Sequence, residues 1–253
     1  MLRTVLITGA TSGIGRSCAY KFAKAGEKII ITGRRKERLE SVARDLEQQY
    51  KANVLALPFD ITQREQVNDA VSSLPPEFRK IDILINNAGL ALGLKPVDEG
   101  DLDQWETMIN TNVKGMLYMT RAVVPIMIDQ GAGHIINIGS IAGKEAYPNG
   151  NVYCATKAAV DSLTKSMRID LLTKNIKVTQ VAPGAVETEF SMVRFSGNKD
   201  AADSVYKGYQ PLTPDDIADI ILYIANLPSH VNINDILIMP ASQASAQIIN
   251  RKS

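Results

Sequence analysis

Seven short, apolar, β-branched runs alternate with longer segments of helical period along this 253-residue chain. The runs are Thr4–Thr8, Lys28–Thr32, Val54–Leu57, Ile81–Ile85, His134–Ile138, Lys177–Val181 and Asp235–Met239. Several are apolar at nearly every position, a pattern that suits strands covered on both faces. Between them, apolar spacing predicts helices over Gly13–Ala25, Lys36–Gln49, Gln63–Ser73, Leu102–Ile128, Tyr153–Leu172 and Pro214–Ala225. Strands separated in this way by helices predict an α/β architecture, a doubly wound parallel sheet of about seven strands with helices on both faces. With 45% hydrophobic residues the chain can build one substantial core, so residues 1–253 read as a single domain. Pro183–Pro211 is the least regular stretch, rich in Gly, Ser, Asn and charge. An irregular segment of that length in a compact domain is expected to be functional or mobile, and a substrate loop or lid is expected near 184–211.

Composition narrows the partners. The formal net charge of +1 supplies no basis for a nucleic-acid or acidic-membrane partner. Cys18 and Cys154 make no disulfide framework, which suits a reduced, cytoplasmic protein. No apolar run approaches the ~20 residues of a membrane span. Met1-Leu2-Arg3-Thr4 leads directly into the first strand, so no signal peptide is expected. His134 and His230 lie far apart and away from the cysteines, so no metal site is expected. His134, at a strand start, is expected to be structural.

The first strand runs into Thr8-Gly9-Ala10-Thr11-Ser12-Gly13-Ile14-Gly15, which opens a helix. Glycines let a backbone turn tightly and approach a pyrophosphate, while the helix N-terminus offers unpaired N–H groups and a positive dipole end. Glycine also serves ordinary βα turns, but this turn follows the first strand and starts a βαβ unit. A coenzyme carrying two ribose hydroxyls at the end of the second strand needs Asp or Glu there. This chain has Gly33-Arg34-Arg35, which suits a 2′-phosphate and hence NADP(H). The other reading makes Arg34, Arg35, Lys36 and Arg38 a solvated helix start, where cations oppose the dipole. Phe59-Asp60-Ile61 and Asn86-Asn87-Ala88-Gly89 follow the third and fourth strands, where ligands lie in such sheets. Asp60 suits an adenine amine, and Asn87, Ala88 and Gly89 a close approach to ribose; each alone is also ordinary turn chemistry.

Tyr153 and Lys157, at i and i+4, share one helix face, and the ammonium is expected to lower the phenol's pKa. With the Ser140 hydroxyl upstream, they form a site able to pass a proton to or from a carbonyl oxygen. A Tyr–Lys pair without such context is ordinarily a surface pair.

Taken in order, Thr8-Gly9-x-x-x-Gly13-x-Gly15, Asn86-Asn87-Ala88-Gly89, Asn112, Ser140, Tyr153-x-x-x-Lys157 and Pro183-Gly184 resemble the short-chain dehydrogenase/reductase family. The resemblance implies a Rossmann-type fold and assigns roles. Tyr153 would be the general acid and base, and Lys157 would hold the nicotinamide ribose. Ser140 would bond the substrate oxygen, and Asn112 would support a water-mediated proton relay to the lysine. Val113-x-Gly115 sets that register on Asn112 rather than Asn110. Ile14 and Ile61 join the coenzyme site, while Pro183, Gly184, Val186 and Thr188 would line the nicotinamide amide and pyrophosphate. The two long helices would pair across a homotetramer interface, with Met116, Leu117 and Met119 shared between core and subunit contacts.

The segments Asn86–Gly93, Trp105–Met108, Glu189–Phe195 and Leu227–Asn234 also resemble the NADP-dependent 3-hydroxy acid dehydrogenases. That narrower resemblance implies serine, allo-threonine or 3-hydroxypropionate as the type of substrate. Arg194 is the candidate for the substrate carboxylate and Tyr147 for the pocket wall. The alternative for Arg194 is packing on Phe190 or pairing with a surface acid. A broad NADPH carbonyl reductase and a non-catalytic NADP-binding sensor are the competing functions.

Overall fold

The structure, a computed structural model, describes residues 2–252. Seven parallel strands form one sheet in the order β3-β2-β1-β4-β5-β6-β7. They are β1 (Thr4–Thr8), β2 (Lys28–Gly33), β3 (Val54–Pro58), β4 (Ile83–Asn86), β5 (Gly133–Ile138), β6 (Ile176–Pro183) and β7 (Asp235–Ile238). The central strands are buried along their length, as their unbroken apolar sequence requires. Edge strand β7 instead alternates exposed and half-buried residues.

Period two divides the strand residues between two cores. Val5, Ile7, Ile29, Ile31, Ile83 and Ile85 pack against α1 (Gly13–Lys24), α2 (Lys36–Tyr50) and, through Ile217 and Ile221, the later helix Pro214–Ala225. Leu6, Ile30, Leu84, Ile135 and Val178 face the opposite side, towards α3 (Arg64–Ser72) and the paired long helices. The expected doubly wound sheet, with helices on both faces, is therefore present.

Several boundaries differ from expectation. The fourth strand starts at Ile83, not Ile81, and β6 runs one residue earlier and two later than Lys177–Val181. The predicted helix Leu102–Ile128 is interrupted. α4 (Leu102–Ile109) and α5 (Met116–Gln130) flank a π-helical turn at Asn110–Gly115, and such turns recur at functional sites. There a Cβ on Gly115 would lie 3.0 Å from Ile61 Cγ2, so glycine lets the widened turn sit against the third strand's loop. α6 spans Asn151–Asp170. The stretch expected to be irregular holds two short helices, α7 (Glu189–Arg194) and α8 (Lys199–Ser204), each with a side-chain N-cap, before α9 (Pro214–Ala225). Short polar caps carry no apolar period, so composition alone read them as loop.

His134 is buried, with Nε2 2.9 Å from Thr179 Oγ1. Burial, followed by nearby Lys177 and Arg3, lowers its pKa to about 3, so it is a neutral structural residue.

Candidate active site

Strand order reverses between β1 and β4, and a cleft of about 560 Å³ opens at their carboxyl ends. Thr8 joins the two strands there. Its Oγ1 accepts from Asn87 N and Ala88 N, both at 3.0 Å, while Asn87 Nδ2 donates to Thr8 O at 2.9 Å. Gly9 has φ +67°, and a Cβ on it would lie 2.9 Å from Ala88 Cα, so only glycine fits the turn. The α1 N-terminus has neither a side-chain cap nor an acidic residue in its first turn, leaving its N–H groups for an anion.

Every coenzyme residue expected from the sequence faces the cleft except Gly15. Gly15 works from beneath, since a Cβ there would lie 2.5 Å from Gly9 O. Arg34 is largely exposed and 3.9 Å from Asp60 Oδ2, whose Oδ1 accepts from Thr62. Arg35 donates to Thr11 Oγ1 at 2.8 Å and to Glu189 at 3.1 Å, and Arg38 also meets Glu189. The basic cluster is thus more than a solvated helix start. It grips the glycine turn and the first helix of the segment expected to be a lid. Partial burial raises the Glu189 pKa, but its bonds to Arg35 and Arg38 outweigh that and hold it low.

At the other end of the cleft stand Ser140, Tyr147, Tyr153, Lys157 and Arg194. Ser140 ends the loop after β5, its Oγ accepting from Ala142 N at 3.1 Å. A Cβ on Gly143 would lie 2.5 Å from Lys157 O, so the Ser140 turn packs directly on the α6 backbone. Lys157 is buried and donates from Nζ to Ile138 O at 2.8 Å. Burial lowers its pKa to about 8. Tyr153 departs from expectation: burial pushes its phenol well above the ordinary value, helped by Tyr147, while Arg194 and Ser140 pull it partly back. The neutral phenol, not the phenolate, is the resting form.

Asn112 is buried and does not bond Lys157 directly. Its Oδ1 accepts from Leu90 N and its Nδ2 donates to Leu90 O, both at 2.8 Å, and to Thr156 Oγ1 at 3.0 Å. A Cβ on Gly89 would lie 3.2 Å from Asn112 Oδ1 and 3.7 Å from Lys157 Nζ, so the two residues flank that glycine.

Arg194 lies over the rings of Tyr153 (5.2 Å), Tyr147 (5.5 Å) and Phe190 (5.9 Å), and Nη2 donates to Tyr147 Oη at 2.5 Å. The packing alternative therefore holds, but pairing with an acid does not. The carboxylates lining the cleft among the described residues, Asp60 and Glu189, face Arg34, Arg35 and Arg38 instead. Arg194 Nε is buried without a partner.

Sequence reasoning missed several supporting residues. Gln243 is buried and accepts from Ala185 N at 2.9 Å. Arg251 stacks on Tyr209 and donates to Val205 O at 3.0 Å, drawing the last described residues onto the segment that carries α8. Neither has a local periodic signal. Thr156, beside Lys157, is a buried hydroxyl inside a helix, a signal that could have been read.

The arrangement joins an anion cradle to an acid, a cation and a hydroxyl in one cleft. Among known proteins, the short chain dehydrogenase family is matched over residues 3–199. An NADP-dependent 3-hydroxy acid dehydrogenase of Schizosaccharomyces pombe is 47% identical over 99% of this chain and 97% of its own. Sulfoacetaldehyde reductase 2 of Chromohalobacter salexigens is 46% identical over 98% of each chain. The closed form of a serine dehydrogenase complexed with NADP+ superposes with a TM-score of 0.92 at 44% identity, over 99% of this chain and 100% of that one.

Because Lys157 titrates near 8 when folded and at 10.5 as a free side chain, the unfolded chain binds the extra proton between those values. Stability therefore rises with pH across that window. Lys157→Met removes this contribution. Its thermal midpoint relative to wild type should be highest near pH 7 and fall steadily towards pH ~9.5. A difference that is flat or widens in the variant's favour contradicts the assignment.

Proposed function

Since this chain belongs to the short-chain dehydrogenase family, we propose that it interconverts 3-hydroxy acids of the serine, allo-threonine or 3-hydroxypropionate type with their 3-oxo acids or semialdehydes, using NADP(H). The observation that carries the substrate class is Arg194. It is a guanidinium stacked on the Tyr153 ring, with a buried Nε–H that has no partner. A carboxylate placed there would satisfy that donor and bring the C3 carbonyl, two carbons away, towards the phenol.

The residues fit the coenzyme. Gly9 and Gly13 leave room in the cleft for a pyrophosphate, Gly15 lets α1 pack beneath on Gly9 O, and the uncapped α1 N-terminus would supply the donors. Arg34 and Arg35 stand where an acidic residue would repel a 2′-phosphate. When bound, the nicotinamide supplies or accepts the hydride.

In reduction, the protonated Tyr153 phenol donates to the forming alkoxide, while the Ser140 hydroxyl holds that oxygen. The Lys157 ammonium, one helical turn on, favours the phenolate as it forms and would hold the ribose hydroxyls of the bound coenzyme. In oxidation the proton returns to Tyr153. Asn112 supports the relay by holding Leu90, and with it Gly89, beside the ammonium. Residues 184–211 act as the lid, with Gly93 N donating to Arg194 O at 3.1 Å across its edge. A sulfonate meets the same guanidinium equally well, as the Chromohalobacter relative's name suggests.

The chain assembles as a homotetramer through α5 and α6 in this reading. Leu117 on α5 and Ile169 on α6 are 37% and 75% exposed, and Leu172 in the turn after α6 is 73% exposed, while Met116 and Met119 are spent in the core. Free thiols at Cys18 and Cys154 fit a cytoplasmic setting, and among the described residues no helix is long and apolar enough to cross a membrane.

Tyr153→Phe should lower kcat on every substrate by roughly 10²–10⁴-fold with NADPH still bound, checked by coenzyme absorbance and fluorescence titration. Retained turnover rejects Tyr153 as the acid. Arg194→Ala should raise the KM for 3-hydroxypropionate by about tenfold or more, about 1.4 kcal/mol, and leave a neutral alcohol little changed. Equal losses on both remove the carboxylate role and favour the broad carbonyl reductase. Light scattering should find a particle of four times the 27.6 kDa chain mass. A monomer would reject the assembly.

A further inference from the structure

We propose that Thr156 is a positioning residue that keeps Tyr153 and Asn112 in register through a hydroxyl that touches neither substrate nor coenzyme. The proposal rests on the reading of Tyr153 as the acid. The Thr156 side chain is 2% exposed, in the turn of α6 between Tyr153 and Lys157. Its Oγ1 donates to Tyr153 O at 2.8 Å and accepts from Asn112 Nδ2 at 3.0 Å. The same Tyr153 carbonyl accepts the Lys157 backbone N–H in the α-helical ladder, so one oxygen ties the Thr156 hydroxyl to the backbones that carry Tyr153 and Lys157.

Asn112 carries the link onward. Its remaining amide hydrogen and its oxygen are both bonded to the Leu90 backbone. Leu90 starts the stretch that reaches Gly93, whose N–H holds Arg194 O at 3.1 Å. Asn112 itself sits in the π-helical turn, where an extra residue has been accommodated. The Thr156 hydroxyl therefore links the helix bearing the acid, through Asn112, to the Leu90 end of the loop, while Asn151 Nδ2 at the start of α6 donates to Lys95 O at 2.9 Å farther along it. A valine has the same shape without the hydroxyl. It would leave a buried Asn112 N–H unpaired and release the Tyr153 carbonyl from its second donor. The Tyr153–Lys157 geometry would then loosen, and the ammonium would favour the phenolate less.

The test compares Thr156→Val, Thr156→Ser and Thr156→Cys in the oxidation direction, with NADPH affinity followed by fluorescence of the single Trp105. Thr156→Val should lower kcat about tenfold and move the acidic limb of its pH profile upward by about half a unit or more. KM for 3-hydroxypropionate should stay within about twofold. Thr156→Ser restores both kcat and the limb, and Thr156→Cys, a weak donor of similar size, falls between. An unshifted limb in Thr156→Val, or a serine variant that behaves like valine, overturns the proposal. Should the valine protein not fold, the order of serine above cysteine decides, and equality of the two overturns it. Tyr153→Phe run alongside separates the two readings. If it keeps turnover and its pH limb, the acid assignment fails; if it is dead while Thr156→Val is normal, only the positioning role fails.

Discussion

The pairing of β1 with β4 is the constraint on which the site depends. Val5, Leu6 and Ile7 align with Ile83, Leu84 and Ile85, which brings the ends of two strands remote in sequence into one crevice. The register continues past the strands as side-chain chemistry. Thr8 Oγ1 receives two backbone N–H groups from the turn after β4, and Asn87 returns a bond to the turn after β1. Gly9 and Gly15 are required by this closeness, because the opposing atoms leave no room for a side chain. Anion cradle and ribose wall are therefore one object, held by burial below and by hydrogen bonds at the rim.

Within that frame, burial dominates both members of the Tyr153–Lys157 pair. Desolvation raises the phenol of Tyr153 and lowers the ammonium of Lys157, each towards its neutral form. Arg194 and Ser140 work against the first of these shifts. Burial therefore holds the Tyr153 phenol in its neutral form and weakens the hold of Lys157 on its proton. The supporting bonds are mostly to backbone. Lys157 meets Ile138 O and Asn112 meets both Leu90 backbone groups, whereas the Arg194 guanidinium is set by the Tyr147 hydroxyl and its own backbone by Gly93 N.

Much of this was legible beforehand. Unbroken apolar runs announced strands buried on both faces, and the helices between them announced the parallel winding. The glycine turn and the Tyr153–Lys157 spacing each carried a local signature of their chemistry. The break at Asn110–Gly115 was not legible, because helical segments flank it on both sides and the widened turn changes only the spacing of the backbone hydrogen bonds. The caps at Thr188 and Asn198 were overlooked because they begin helices of six residues, too short to show a period. Glu189 as the partner of Arg35 and Arg38 lies about 150 residues away, beyond any local pattern.

By itself the sequence determined the fold class, through apolar runs alternating with helices along the whole chain, and it marked the glycine turn and the Tyr153–Lys157 spacing, each contained within one turn or one helix. Only the tertiary structure decided which charges stay unpaired. Arg34, Arg35 and Arg38 found acidic partners, while Arg194 was left over the Tyr153 ring with a free donor. It also set the direction in which the Tyr153 and Lys157 pKa values move, which spacing had assigned to mutual attraction and burial turned towards the neutral forms. The physical reason is common to both. Spacing along a helix sets which groups are neighbours, but desolvation and pairing depend on everything else packed around them.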